Sequence, residues 1–211
     1  MYPVSCVTYV PGLYRQPANI QMEPTRSRLC HYCAAARGSF ESLGRPCGMG
    51  ETMSLDMEMI ADQISRAFRG ESWHGPSVRE VLAGVSAEDA AAHPIAGAHS
   101  IWEIVLHLIG GYRLVLRRVH GERAQLSPEE EWPPVAESSS EAWRESQHTL
   151  EQLNKQLQSA VRAFPAERLS EELGSQYPAY IQFCGTPQHD LYHAGQIVLL
   201  KKALSASRGA A

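Results

Sequence analysis

The sequence has no apolar run long enough to cross a bilayer and no surplus of basic residues. The best apolar stretch is interrupted by His107, Arg113 and Arg117, and it stays short of the about 20 apolar residues that a membrane helix needs. The chain carries 19 Lys and Arg against 23 Asp and Glu, a net charge of −4, and its basic residues are scattered. These absences argue against membrane and nucleic-acid partners.

A secretory signal and a complete disulfide framework are also missing. The amino terminus lacks the charged and then apolar order of a signal peptide. Five cysteines is an odd number, which favours free thiols in a reducing compartment. We therefore expect a cytoplasmic protein.

The composition changes near Gly50. Residues 1–50 contain five Arg, no Lys and four of the five Cys, and carry a net charge of +3, whereas the remaining 161 residues carry −7. We expect an irregular extension over 1–50, a folded domain over 51–205 and a short tail over 206–211. Because four methionines cluster between 49 and 59, Met49 is a candidate translation start, with the extension upstream of it.

Apolar residues recur at spacings of three and four in four long segments, which is typical of amphipathic helices. The expected bounds, in chain order, are Thr52 to Gly70, Ser100 to Gly121, Ser138 to Pro165 and Thr186 to about Leu204. Capping boxes mark the second and third starts, and Pro187 suits the first turn of the fourth helix. Shorter helices after Ser77 and Ser86 connect the first two, and a polar loop precedes the third. The pattern predicts an all-α four-helix bundle with short connector helices.

Two histidines, His189 and His193, lie four residues apart on the fourth predicted helix. Four residues turn the helix by about 400°, so the two side chains share a face about 6 Å apart along the axis. His107 stands in an aliphatic run, where a buried imidazole needs a polar partner. Facing helices of bundles commonly build metal sites, and three neutral imidazoles with an open position suit Zn²⁺ or Ni²⁺. From spacing alone, a core histidine and two surface histidines remain an equal alternative.

Other candidates are weaker. Gln196 and Asp190 could bond the second nitrogen of a metal-bound histidine, although Asp190 also suits a helix amino terminus as a plain charge. His99 lies eight residues before His107 and is a candidate either for the cavity or for the helix entry. Cys184 is interpreted as a small core residue that could approach the metal. Cys30 and Cys33 have the spacing of half a zinc knuckle, but no second pair follows.

Two segments carry a resemblance to a known family. The segments His189-Asp-Leu-Tyr-His193-Ala-Gly-Gln196-Ile197 and Ser100-Ile-Trp-Glu-Ile-Val-Leu-His107 resemble the DinB-like superfamily, which includes bacillithiol transferases and metal-dependent hydrolases. The resemblance covers roughly Met53 to Leu204. It implies a four-helix bundle of the DinB-like type, often dimeric, that holds a divalent metal by one histidine of the second helix and two of the fourth. The matching positions are His107, His189 and His193.

This resemblance leads us to expect a metal-dependent enzyme that transfers a low-molecular-weight thiol to a small electrophile. A thiolate on zinc stays nucleophilic at neutral pH, so no dedicated protein base is required. A metal-dependent hydrolase is the alternative, although no carboxylate in the sequence is marked for proton transfer. A non-catalytic bundle that binds metal or a small ligand stays open as well. The expected partners are a small-molecule substrate and a second copy of the chain in a homodimer.

Overall fold

The computed structural model describes residues 49–209, with side chains from Asp56 onward. Within this part the chain is helical, and its β structure is limited to an isolated bridge between Glu172 and Pro178. The all-α prediction is therefore confirmed. The predicted extension, with Cys30 and Cys33, lies outside the described residues.

Four long helices form the framework of the domain. Their bounds are Met49–Arg69 for α1, Ile101–Val119 for α4, Ser140–Ala163 for α6 and Ala179–Gly209 for α7. The helices α1 and α4 each pack against both α6 and α7, so the four surround one apolar core. The short helices α2 (Val78–Leu82) and α3 (Ala87–Ala91) connect α1 to α4, and a 3-10 turn (Ala166–Arg168) follows α6. No helix among residues 49–209 combines the length and apolarity that crossing a membrane requires.

Serine caps define the helix starts. At α4, the Ser100 hydroxyl accepts from the Glu103 amide at 3.1 Å, and the Ser100 amide donates to the Glu103 carboxylate at 2.7 Å. The predicted capping box is thus confirmed. At α6 the predicted capping box does not form: the cap is Ser139 rather than Ser138, and its hydroxyl accepts from the Ala142 amide. The Glu141 carboxylate pairs with Arg144 instead. Three consecutive serines offer equivalent caps here, which is why the sequence alone misplaces this start by one residue.

The fourth predicted helix begins earlier than expected. The sequence pattern predicts Thr186 as its cap with Pro187 in the first turn, but α7 begins at Ala179 and contains Pro187 in its interior. A proline inside a helix removes one backbone hydrogen bond, and the complete burial of Ala179 and Phe183 offsets that loss. The Thr186 hydroxyl donates to the Gln182 carbonyl at 3.0 Å instead of capping. Two extra turns therefore precede the segment that carries His189 and His193.

The predicted polar loop before α6 contains a one-turn helix, α5 (Pro128–Glu131). Its start is also a capping box, formed by Ser127 and Glu130, with Pro128 in the first turn. The helix packs closely against α4 at Gly110, where an added Cβ would lie 3.1 Å from the Glu130 carbonyl oxygen. A side chain at this position would push α5 outward, so the absence of one permits the close approach.

Candidate metal centre

The structure brings three imidazoles from two helices together. The Nε2 atom of His189 on α7 lies 2.9 Å from Nε2 of His107 on α4 and 3.1 Å from Nε2 of His193. All the nearest ring nitrogens of the three lie within 4.8 Å of one another. His107 and His193 are buried, at 4% and 0% exposed, whereas His189 is partly exposed. The cluster therefore lies just beneath the surface, with its accessible side at His189.

Each of the two buried rings is oriented by a partner on its outer nitrogen. The Nδ1 atom of His107 lies 2.8 Å from the Glu131 carbonyl oxygen. The Nδ1 atom of His193 lies 2.6 Å from Oε1 of Gln196, one turn further along α7. Because both partners are acceptors, each Nδ1 carries the proton and donates it, which leaves each Nε2 with a free lone pair.

This arrangement suits a cation better than it suits the histidines alone. Two lone pairs, on His107 and His193, face the same nitrogen of His189, whose single proton can bond only one of them well. A divalent ion would satisfy all three. Zinc bonds to imidazole of about 2.0–2.1 Å place tetrahedral ligand nitrogens about 3.3 Å apart. The two separations from His189 are close to this value, at 2.9 and 3.1 Å, and all three nitrogens lie within 4.8 Å of one another. The three residues therefore fit the metal site predicted from the sequence.

Burial keeps the cluster uncharged. Desolvation, together with the two neighbouring imidazoles, lowers the pKa of His189 to about 3. Desolvation and nearby His107 lower the pKa of His193 to about 4, and burial lowers the pKa of His107 as well. Neutral imidazole is the form that binds a metal, so the site is ready for metal binding across the neutral pH range.

We expect metal affinity to be nearly constant from pH 8 to about pH 5. Ordinary histidines, with a pKa near 6.5, would lose affinity steeply below that value because protons compete for the same lone pairs. In this cluster burial lowers all three pKa values, to about 3 for His189 and about 4 for His193, so at these two rings competition begins only as the pH approaches 4. Titration calorimetry with Zn²⁺ across this pH range measures the effect. A fall of more than about tenfold between pH 7 and pH 5.5 would contradict the prediction.

Asp190 is turned away from the imidazoles and into the core. Its Oδ2 accepts from the Tyr112 hydroxyl at 2.7 Å, and that hydroxyl accepts from the Asn154 amide at 3.2 Å. Gln158 donates to the Asn154 carbonyl at 2.6 Å. Oδ1 of Asp190 is buried without a hydrogen-bond partner. These buried hydrogen bonds join α4, α6 and α7 beside the three clustered histidines. They give Asp190 a different place from the metal-supporting one suggested by the sequence.

Burial strongly shifts the pKa values of Asp190 and Tyr112. Desolvation raises the pKa of Asp190 to about 7, against the opposing effect of the Tyr112 hydrogen bond. Desolvation and the Asp190 charge raise the pKa of Tyr112 well above its usual value. Near neutral pH the carboxyl group is therefore divided between its protonated and ionised forms.

The remaining sequence candidates lie around the cluster. His99 is not one of the three clustered histidines: it stacks on Trp132 with ring centroids 3.6 Å apart, and Trp132 stacks on His107 at 4.0 Å. Cys184 is partly exposed, and burial raises its thiol pKa, which disfavours the reactive thiolate.

Sequence reasoning missed the contribution of the loop before α6. The Glu131 carbonyl and the Trp132 ring both contact His107, yet neither residue was a candidate. A signal was available, because Ser127-Pro128-Glu129-Glu130 combines a capping box with a first-turn proline. That pattern predicts a short helix, although it does not indicate which ligand the helix contacts.

Comparison with known families agrees with this geometry. The model of the DinB superfamily matches residues 73–197, which is more than half of the chain and contains all three clustered histidines. No curated protein and no solved structure matches the chain. On the strength of the family match, the chain belongs to the DinB superfamily.

Proposed function

We propose that this protein is a metal-dependent S-transferase that joins a low-molecular-weight thiol to a small electrophile. His107, His189 and His193 would hold the divalent ion, with Zn²⁺ or Ni²⁺ favoured by an all-imidazole donor set. When bound, such an ion lowers the pKa of a thiol that reaches it, so that the thiol reacts as thiolate at neutral pH.

The observation that carries this proposal is the neutrality of the donor set. Among the described residues, the candidate metal group consists of three histidines and includes no carboxylate. Neutral ligands leave the full charge of the ion to stabilise an anionic sulfur. Three protein ligands also leave at least one coordination position for substrate.

Two carboxylates near the cluster, Asp190 and Glu103, are held by other groups, which favours transfer over hydrolysis. Hydrolysis needs a group near the metal that accepts a proton from water. Asp190 bonds Tyr112 within the core, and Glu103 is engaged by the Ser100 amide and by His93 at 3.0 Å. Thiol transfer would need no such base, because a thiol held by the ion would lose its proton to solvent.

In the proposed reaction the thiolate sulfur forms a bond to an electrophilic carbon. The leaving group departs with the electron pair of the bond that breaks, and the thiol proton passes to solvent, so no oxidant or reductant is needed. Of the chain's own residues, Gln196 and the Glu131 carbonyl hold two of the rings with their lone pairs directed inward. The partly exposed side at His189 is where the substrates would enter.

Monochlorobimane and a panel of small thiols, namely cysteine, glutathione and bacillithiol, test the proposal. We expect the Zn²⁺-loaded protein to speed formation of the fluorescent thioether, with chloride as leaving group, by at least about 100-fold over the uncatalysed reaction. Treatment with a chelator and the His193→Ala change should each abolish the acceleration. Metal-dependent ester hydrolysis without thiol consumption would favour the hydrolase, and full metal occupancy with neither activity would favour a binding protein; both results contradict the proposal.

A further inference from the structure

Local interactions fix the conformation of the segment that contacts His107. We define the α5 clip as residues 127–132, between α4 and α6. The Ser127 amide donates to the Glu130 carboxylate at 2.9 Å, and the Glu130 amide donates to the Ser127 hydroxyl at 3.2 Å. Pro128 restricts the backbone in the first turn. These local restraints fix the direction of the chain as it reaches Glu131 and Trp132.

Gly110 lets the α5 clip approach α4 one turn beyond His107. A Cβ at Gly110 would lie 3.1 Å from the Glu130 carbonyl oxygen and 3.6 Å from the side chain of Leu126. The first distance is shorter than ordinary van der Waals contact, so a methyl group here would require the clip to shift by a few tenths of an ångström. The next carbonyl along the chain, that of Glu131, is the one that accepts from His107.

Two consecutive residues of the clip hold the His107 ring in different ways. The Glu131 carbonyl, 2.8 Å from Nδ1, fixes the protonated edge of the ring. The Trp132 indole covers one face of the ring, with centroids 4.0 Å apart and planes 5° from parallel. A hydrogen bond at the edge and a stack on the face together determine both the direction and the plane of the imidazole.

His99 holds Trp132 from the other side. Its ring lies 3.6 Å from the indole, with the planes 1° apart, and its Nδ1 is 3.6 Å from the Glu103 carboxylate. Trp132 is therefore sandwiched between two imidazoles that both belong to the start and first turns of the α4 segment. Moving the indole would break both stacks at once.

We propose that Trp132 is a positioning residue for the metal centre: sandwiched between His99 and His107, it fixes the ligand ring so that the free Nε2 faces His189 and His193. The inference rests on metal binding by the cluster, which the proposed function also needs, and not on the transfer reaction. Without the indole, His107 keeps its carbonyl bond but gains freedom to tilt, and part of the binding free energy is spent on reordering it.

Co²⁺ binding to the full chain tests the inference, because Co²⁺ reports both affinity and ligand geometry. We expect Trp132→Ala to weaken Co²⁺ affinity by about 10- to 100-fold, as loss of support around a metal ligand typically does, and to alter the visible absorption spectrum of the bound ion. Trp132→Phe keeps an aromatic face and should recover most of the affinity. Trp73→Ala, at a side chain that is 100% exposed, is the matched control and should leave both readouts unchanged.

A second pair of variants tests the clip without touching the indole. Gly110→Ala should displace the clip and weaken Co²⁺ affinity by about three- to tenfold, within the range for perturbed support. Gly111→Ala adds the same methyl group one residue later, where it meets His189 ring atoms only at 3.7 and 3.9 Å. Both changes raise the helix propensity similarly. A difference in Co²⁺ affinity between the two variants would therefore reflect the displacement of the clip.

The outcomes separate this inference from the proposed function. If the wild-type protein binds Co²⁺ and Trp132→Ala binds it equally well with the same spectrum, the positioning role is wrong while the metal centre stands. If Trp132→Ala does not fold, the same comparison is made with Trp132→Phe and Gly110→Ala. Absence of Co²⁺ binding by the folded wild-type protein would overturn the metal centre, and the positioning role with it.

Discussion

Replacing His193 by Ala should reduce Zn²⁺ affinity by at least about 100-fold. The imidazole would contribute one of three donors to the ion, it is fully buried, and its Nε2 lies 3.1 Å from that of His189. Removing it leaves a two-histidine site and a cavity, and loss even of a supporting contact typically costs 10- to 100-fold. Competition with a fluorescent chelator measures the change, on protein prepared without a polyhistidine tag.

The same substitution should remove the stabilising effect of the metal. A ligand present at about 1,000 times its dissociation constant stabilises a fold by about 4 kcal/mol, which in a domain of this size corresponds to about 10 °C in melting temperature. A chelator should therefore lower the melting temperature of the wild-type protein but not that of His193→Ala. His148→Ala, at an exposed position on α6, is the control. Unchanged Zn²⁺ affinity in His193→Ala would exclude the proposed ligand set.

The Tyr112→Phe change should destabilise the protein by about 2–3 kcal/mol at pH 8. It removes one oxygen atom, but that oxygen joins Asp190 to Asn154 within the core. Since Oδ1 of Asp190 already lacks a partner, the carboxylate would then be buried with neither oxygen bonded. Leaving a buried acceptor unsatisfied costs about 1–3 kcal/mol, and more when it is charged.

The destabilisation caused by Tyr112→Phe should depend on pH, and the titration of Asp190 determines the direction of that dependence. Burial raises the pKa of this carboxyl to about 7, whereas its unfolded value is 3.8. Between these values the folded state binds more protons than the unfolded state, so this group lowers stability as the pH rises. Loss of the Tyr112 hydrogen bond raises the folded pKa further. The destabilisation should therefore shrink to about 1 kcal/mol at pH 5, where the carboxyl is neutral.

Urea unfolding at pH 5 and pH 8 measures both values. Tyr180→Phe makes the same chemical change at a side chain that is 46% exposed, and it should change stability by less than about 0.5 kcal/mol. In an Asp190→Asn background the Tyr112→Phe effect should lose its pH dependence, because the titrating group is gone. Equal destabilisation at the two pH values would show that the buried charge is not its cause.

Local pattern was sufficient for most of the helical framework. The capping box at Ser100 and Glu103 forms as predicted because both partners lie within one turn and need no other part of the chain. Local pattern also misled, since Thr186 and Pro187 resemble a helix start. The buried side chains of Ala179 and Phe183 stabilise two turns before that proline, and such burial depends on residues distant in sequence.

The candidate metal centre, like the helices, was predictable from the sequence only in part. The sequence by itself determined that His189 and His193 share a helix face, because helical periodicity relates residues four apart. Spacing could not show that His107, 82 residues earlier, completes the group; the family resemblance implied it. The packing of α4 against α7 places its Nε2 2.9 Å from that of His189.

Only the tertiary structure decided what surrounds the three rings. Asp190 was a candidate partner for a histidine, yet the packing of α4 and α6 turns it toward Tyr112 and Asn154. Trp132 carried no local signal of function, yet the close approach at Gly110 stacks it on His107. Periodicity and caps are properties of neighbouring residues, so a single sequence displays them. Contacts between helices depend on how whole faces pack together, and that information is spread over the entire chain.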